Sequence, residues 1–335
     1  TVLSIVTGLP VAELGVASAW LSIPSTLAMA LCIPIFLPRP FPSFQRWLLV
    51  LACGMVVGFA ALGTAAWLNV STSGMVAGLV LIFFLVMIGN RSLSLKNSIL
   101  KDLAPFLLIL VILLLLNIVP VLKDLTFKRL SLSLQVIPVH TIVFRPLFSA
   151  YLYLFLAFLL GAKLFEVRGE QMKEVLRTGT QKGWRASLAM ALFGAMGQII
   201  AYSGYVPGFS ELKETANLPW VMAHGLSAYT GSAFPVFVPL LGWVGTFLTG
   251  YGVASLMLFG QLQVQTAGLM GISATWLASG LAVGASLGSI SSPFKIAIAT
   301  PMCGALGQEG AILRLTIPLG VAASLLIGVI LWFVA

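Results

Sequence analysis

GLAVGASLGSISSPFK, residues Gly280–Lys295, is the stretch on which the fold turns. It closes a run from Thr215 to Phe294, 80 residues without one Asp, Glu, Lys or Arg, and then places a cation. A bilayer tolerates such a run, but a charge at its centre costs roughly 2.5–3.5 kcal/mol on insertion scales, so Lys295 needs a partner or a task. Pro293 removes a backbone donor and breaks helix geometry. At membrane depth that break is tolerated where the backbone lines a cavity or packs on protein. A broken, charge-poor segment with a cation at the break is how many secondary transporters build an anion site.

Working outward, the composition agrees. The chain has 335 residues, 59% of them hydrophobic and 8% charged. A water-soluble domain carries about 25% charged residues, so an all-α polytopic membrane protein is expected. Apolar stretches of membrane length fall near Leu14–Leu37, Trp47–Leu68, Ser73–Ile88, Leu103–Leu122, Pro146–Phe165, Trp184–Tyr205 and Ile312–Val334. With the Gly-interrupted region between the last two, this predicts roughly eight full or broken transmembrane helices plus a re-entrant hairpin, at about 20 residues per span. Expected blocks are residues 1–165, five spans; 166–183, a cytoplasmic loop holding a short helix; and 184–335, a transport block. Within the last, the re-entrant hairpin covers about 232–268 and the broken helix about 272–306.

The net charge of +9 invites a nucleic-acid reading, which its distribution excludes. If the six spans before Tyr205 alternate sides, eleven Lys and Arg, among them Arg39, Arg91, Lys96 and Lys173, collect on one side and five on the other. Basic short loops stay in the cytoplasm, so the charge is topological and the eleven lie inside the cell. A nucleic-acid surface would gather them on one face with aromatics between them. Cys32, Cys53 and Cys303 lack C-x-x-C spacing and are expected to be small buried hydrophobes; no cofactor or metal is called for. The chemistry therefore points to a multi-pass protein of the cell membrane that handles a solute, and not to an enzyme.

Three pieces of the second block carry that chemistry. Gly242-Trp243, Gly245 and Thr249-Gly250-Tyr251-Gly252 supply turn residues after an apolar arm, placing a hairpin tip near Thr249–Ser255. Gly288–Pro293 reads as a mid-membrane unwinding whose hydroxyls and freed amides face an anion, with a following helix N-terminus behind them. Gly304–Glu309 ends a helix, with Glu309 expected to pair with Arg314. Candidate substrate-binding residues are Thr249, Gly250, Ser255, Ser291, Ser292 and Lys295. Each has an ordinary alternative: a lysine stem reaches water from an apolar surface, and Ser and Thr bond back to helix carbonyls. Gly280, Gly284 and Gly288, four apart, form a close-packing face. Gly284–Gly288 also fits G-x-S-x-G, but no His or acid is placed to activate Ser286. None of the nine acids stands plainly at mid-bilayer, where a proton relay would keep one.

The strings PLLGWVGTFLTG…LFGQLQ…TAG…GIS (Pro239–Ser273) and G…SP…IAIA…GALGQEG…LRLT (Gly288–Thr316) resemble the L-lactate permease family. The similarity extends more weakly from Ala104-Pro105-Phe106 through Trp184–Tyr205 and towards Thr1. The resemblance implies a proton-coupled symporter of lactate, glycolate or a related 2-hydroxy monocarboxylate. It also implies an inverted-repeat transporter fold whose first half is incomplete in this chain, which would start just after the first half's hairpin. Where the family reads G-S-D-T-S-S-N-A-L-F, this chain has Gly250–Phe259, so the acid falls on Gly252 and Ser255 is retained. Where it reads G-K-M-I-S-P-Q-S, the chain has Gly288–Lys295: Ser289 replaces the lysine, and Lys295 stands six positions on. Two functions follow. One is alternating-access transport of a small organic anion, with protons as possible co-substrate. The other is a divergent, non-transporting membrane subunit of a larger assembly. Expected partners are the lipid bilayer and either a second copy of the chain, as a homo-oligomer, or a membrane partner subunit.

Overall fold

The computed structural model describes residues 2–36, 44–68, 70–89, 97–138, 140–147, 150–305 and 307–335. Thr1, Leu37, Arg39, Arg91, Lys96 and Leu306, which figure in the sequence reading, lie outside the described residues. In chain order the helices are α1 (Val2–Thr7), α2 (Val11–Phe36), α3 (Phe44–Trp67), α4 (Ser73–Gly89), α5 (Asn97–Ile118) and α6 (Pro120–Asp124). Strands β1 (Leu132–Ile137) and β2 (His140–Phe144) follow, then α7 (Ala150–Leu164) and α8 (Gly169–Ala201). The remainder are α9 (Leu218–Thr230), α10 (Phe234–Thr249), α11 (Gly252–Met270), α12 (Ala274–Gly288), α13 (Pro293–Met302) and α14 (Glu309–Val334).

Among the described residues, five helical stretches are long and apolar enough to cross a membrane: Val11–Leu31, Trp47–Trp67, Leu218–Thr249, Ala274–Thr300 and Glu309–Val334. A sixth is bent by 88° between Ala104–Ile118 and Pro120–Phe127. Val119 is extended there (φ −81, ψ 112), as the residue before a proline prefers, and Pro120 opens the next helix. Ser73–Gly89, Tyr151–Leu164 and Ala191–Ala201 are shorter apolar helices. The chain is thus the all-α polytopic membrane protein that its composition predicts, with one addition.

That addition is a two-stranded antiparallel hairpin, with Leu132 opposite Phe144 and Leu134 opposite Ile142. The sequence Leu132-Ser133-Leu134-Gln135 alternates with period two, the signature of a strand. A second difference concerns Glu166–Lys182, read as a separate short helix ahead of a span at Trp184. The structure joins the two in the 33-residue α8. Glycine costs a helix about 1 kcal/mol relative to alanine but does not stop one, so the helix runs through Gly179. The chain turns before it, at Glu166, whose φ is +53°.

Contacts divide the chain into two compact units, residues 1–62 with 190–335, and residues 63–189. In the second unit α5 packs on α7. The first unit is built around α10, which packs against α11, α12 and α14. Its core joins Phe234, Val238, Leu277, Leu281, Ile327 and Leu331, all essentially inaccessible. Lipid gives helices little hydrophobic reason to associate, so close backbone approach through small residues supplies much of the packing. A Cβ on Gly284 would land on the Pro239 carbonyl, one on Gly242 on the Leu281 carbonyl, and one on Gly328 on the Val236 carbonyl. The glycine face of α12 is therefore shared: Gly284 and Gly288 meet α10, whereas Gly280 meets the Leu331 side chain of α14.

The N-terminal helices belong to this unit. Ser279 donates to the Leu14 carbonyl at 3.3 Å, the Gln261 amide donates to the Val6 carbonyl, and α2 packs on α12.

Candidate functional site

The two pieces singled out in the sequence meet in space. α10 ends at Gly250, whose φ of +79° is the left-handed conformation that glycine adopts without strain, and α11 begins two residues later. This helical hairpin sets its tip on the start of α13. A Cβ on Gly250 would stand 3.0 Å from the Phe294 Cβ, and the Tyr251 and Phe294 rings are 5.3 Å apart.

Phe294 lies just past the interruption. α12 stops at Gly288 and α13 starts at Pro293, with Ser289–Ser292 between them outside the helices. The last turn tightens first, with the Ser289 and Ile290 amides donating to the Ser286 and Leu287 carbonyls at 3.2 and 3.1 Å. The two arms still form one membrane-length stretch of 27 residues.

A hydroxyl has one hydrogen to donate, so its present acceptor decides whether it can serve an anion. Thr249 donates to the Gly245 carbonyl at 2.7 Å and accepts the Tyr251 amide at 3.3 Å, which closes the hairpin turn. Ser255 donates across the hairpin to the Gly242 carbonyl at 3.0 Å. Ser291 donates to the Thr316 carbonyl of α14 at 2.7 Å. Thr249 thus fastens its own turn, while the Ser255 and Ser291 hydroxyls join elements together. Ser292 differs: it is wholly buried, and its hydroxyl has no partner among the described residues. Lys295 is exposed, and its ammonium donates to the Ser289 hydroxyl at 2.7 Å, leaving further N–H groups for another acceptor.

Sequence reasoning missed the other unpaired donors beside this junction. The Trp243 indole N–H, the Thr246 hydroxyl and the Thr316 hydroxyl are buried without partners among the described residues. The Trp243 N–H and the Ser291 hydroxyl both crowd Gly320, where any side chain would collide with them. Thr246 follows from Ser255. A helical threonine ordinarily bonds its i−4 carbonyl, here that of Gly242, but Gly242 already accepts from Ser255. Ser255→Ala should therefore cost about 0.6 kcal/mol, the usual worth of an interhelical hydrogen bond in a membrane protein, while releasing the Gly242 carbonyl to Thr246. A fall of a few degrees in unfolding midpoint would agree; a rise would mean that Ser255 does not tie the hairpin.

Two expectations are corrected. Glu309 does not turn to Arg314: its carboxylate accepts from the Thr300 hydroxyl at 2.7 Å and the Gly307 amide at 3.2 Å, which ties the end of α13 to the start of α14. Cys303 is exposed rather than buried, because it falls in the turn after α13. Among the described residues no group of three His, Cys, Asp or Glu side chains is placed to hold a metal ion.

The family model for L-lactate permease matches residues 2–335. The chain belongs to the L-lactate permease family. It is similar to the L-lactate permease of Salmonella typhimurium, 32% identical over 172 residues, which is 51% of this chain and 30% of that protein. It is also similar to the glycolate permease GlcA of Escherichia coli K12, 35% identical over 136 residues (41% of this chain, 23% of GlcA). The L-lactate permease of Bacillus subtilis is 35% identical over 112 residues, 33% of this chain and 20% of that protein. The aligned stretches thus cover less than a third of the length of each of these relatives. No solved structure matches it. Family membership and the apolar helices together make this permease-family chain a multi-pass protein of the cell membrane, the inner one in bacteria.

Proposed function

We propose that this chain carries the transport site of a secondary transporter for a small organic anion, lactate or a related 2-hydroxy monocarboxylate, and that it works by alternating access. The observation carrying this reading is the seating of the hairpin tip, Gly250-Tyr251, on Phe294 at the break of the α12–α13 span. Ser292 offers an unpaired buried hydroxyl there, and Lys295 offers a cation. Thr249, Gly250, Ser255 and Ser291 hold the tip and the break in place around the substrate. The names of the relatives, L-lactate permease and glycolate permease, supply the substrate class. The interrupted helix supplies the usual architecture, since irregular backbone at membrane depth lines cavities and bundles rock around it. Protons are the proposed co-substrate, as the resemblance implies. The second reading, a non-transporting membrane subunit, is favoured by one feature, the glycine at position 252 where the family pattern has an acid.

The test is uptake of labelled L-lactate by the purified chain in liposomes under an inward proton gradient. Accumulation that a protonophore collapses is the expected result. Absence of uptake of both L-lactate and glycolate, with a second protein co-purifying at fixed stoichiometry, would favour the subunit.

A further inference from the structure

The second compact unit holds a cleft of about 420 Å³ that the transport reading leaves unused. Its floor lies where α5 and α7 meet, with Gly161 so placed that a methyl on it would stand 3.5 Å from the Pro105 ring. Every residue lining the cleft is apolar, and along α7 the lining runs from Leu154 to Phe165. Leu154 lies nine residues before Lys163, so the cleft reaches about 14 Å from that charge into the apolar helix, at about 1.5 Å per residue. It opens sideways: Phe106 is 69% exposed, Leu154 53% and Val175 52%. Its size falls within the range of about 300–1,000 Å³ typical of small-molecule sites, and its walls offer water no polar side chain.

The mouth has a different chemistry. Past Leu164 the chain turns at Glu166 and enters α8, whose Met172 and Val175 also line the cleft. Successive helical residues stand about 100° apart, so Met172, Val175, Leu176 and Gly179 share one face of α8. Lys173 and Arg177 border that face, whereas Glu170 and Glu174 stand opposite it. Lys163 and Arg168 flank the turn with Glu166 between them, and both side chains are exposed. Among the described residues none of these four cations is in an ion pair. Bases beside an apolar face, with the helix's acids turned away, form the pattern of a segment that lies against anionic lipid.

We propose that the cleft takes one acyl chain of an anionic phospholipid from the surrounding bilayer, with Lys163 and Arg168 at its mouth, and Lys173 beside them, holding the headgroup phosphate. The apolar length calls for a hydrocarbon chain, and the unpaired cations at one end call for a negative headgroup. A zwitterionic lipid would set its own cation against them, and free phosphate would leave the apolar walls uncovered. Short basic loops stay on the cytoplasmic side, whose leaflet carries anionic lipid, so the site and its ligand share one face of the membrane. The bound chain spans α5, α7 and the start of α8, so it stabilises this unit. The site is separate from the organic-anion reading of the α10–α13 junction, which stands whatever the outcome here.

The experiment adds phosphatidylglycerol, phosphatidylcholine with the same chains, or water-soluble glycerol 3-phosphate to the purified full chain in a mild detergent. Native mass spectrometry counts the bound lipid, and the unfolding midpoint is followed in parallel. Wild type is expected to retain one phosphatidylglycerol, to gain several degrees in midpoint, and to respond to neither of the other probes. Lys163→Gln combined with Arg168→Gln should weaken phosphatidylglycerol binding about tenfold. The lipid-free midpoint should not move, because both side chains are exposed and unpaired. Val175→Trp, at a half-exposed position, should exclude the lipid by filling the cleft, again with the lipid-free midpoint kept. Equal retention of phosphatidylcholine, or undiminished phosphatidylglycerol binding in both variants, would overturn the proposal. A response to glycerol 3-phosphate equal to that of the lipid would reduce the site to a phosphate contact and overturn it too. A lipid-free dimer that Val175→Trp dissociates would assign the cleft to a second copy of the chain instead.

Discussion

Gly284→Ala is expected to prevent the chain from assembling. The added methyl would sit on the carbonyl oxygen of Pro239, with the Pro239 carbonyl carbon and Cα each 2.5 Å away. These are backbone atoms in the middle of α10, and they cannot swing aside as a flexible side chain would. The two helices must separate, and the separation spreads to Gly242 and Gly288, where an added Cβ would stand 2.3 and 2.5 Å from carbonyl oxygens across the same crossing. Leu281 and Val238, fully buried beside it, would lose contacts along the whole interface. Overpacking of a core costs about 1–3 kcal/mol where side chains can adjust, and more where a backbone must move. A loss of more than about 3 kcal/mol is therefore expected, read as failure to purify a monodisperse protein or as a large fall in unfolding midpoint. Gly268→Ala in α11 is the control, because among the described residues nothing beyond the helix's own backbone lies within 4 Å of the methyl it would add. That change should be neutral or stabilising, by up to about 1 kcal/mol, since alanine favours helix. Equal stability of the Gly284 and Gly268 variants would show that the α10–α12 crossing is looser than described.

The contrast between these glycines marks what a sequence can convey. The spacing of Gly280, Gly284 and Gly288 announced a close-packed face, and two of the three do meet a backbone. The partner helix could not be read, because glycine spacing carries no information about what approaches it. The helices were legible from apolar length, since lipid demands about 20 apolar residues whatever the neighbours are. The β1–β2 hairpin lies between the spans that apolar length picks out, and the alternation of Leu132-Ser133-Leu134-Gln135 is too short to announce a strand on its own.

At the candidate site, the Ser289–Ser292 interruption was legible because Pro293 and a hydroxyl cluster leave few alternatives. Which hydroxyls remain free was not. That depends on acceptors supplied by other helices, such as the Thr316 carbonyl for Ser291, and pairings of that kind leave no mark on local sequence. Thr246 shows the point most clearly. Its lack of a partner follows from a serine nine residues later that takes the acceptor it would otherwise use.

Lys295→Met is expected to abolish uptake of L-lactate while leaving expression and fold intact. Methionine retains an apolar stem, so the loss would report the charge and not the packing. The lysine side chain is exposed at the start of α13, and its ammonium is held by the Ser289 hydroxyl at 2.7 Å. Removing it breaks one surface contact, which has little effect on folding. Removing a cation from a carboxylate's path forfeits a charge-assisted hydrogen bond worth about 1.5–3 kcal/mol, a loss of about tenfold to a hundredfold in apparent affinity. The contact with Ser289 also explains how a displaced lysine can serve. In the family pattern that this stretch resembles, a lysine stands where this chain has Ser289. Here the lysine comes from six residues further on, yet its ammonium returns to the side chain of position 289. The ammonium therefore stands beside the position that carries the lysine in that pattern. Ser289→Lys placed in the Lys295→Met background should therefore restore uptake to a substantial fraction of wild type, whereas a lysine that merely reached for water would gain nothing from the exchange. Uptake by Lys295→Met at the wild-type rate would remove the ammonium from the transport path. Loss of uptake without rescue by Ser289→Lys would place its role at position 295 itself, on α13.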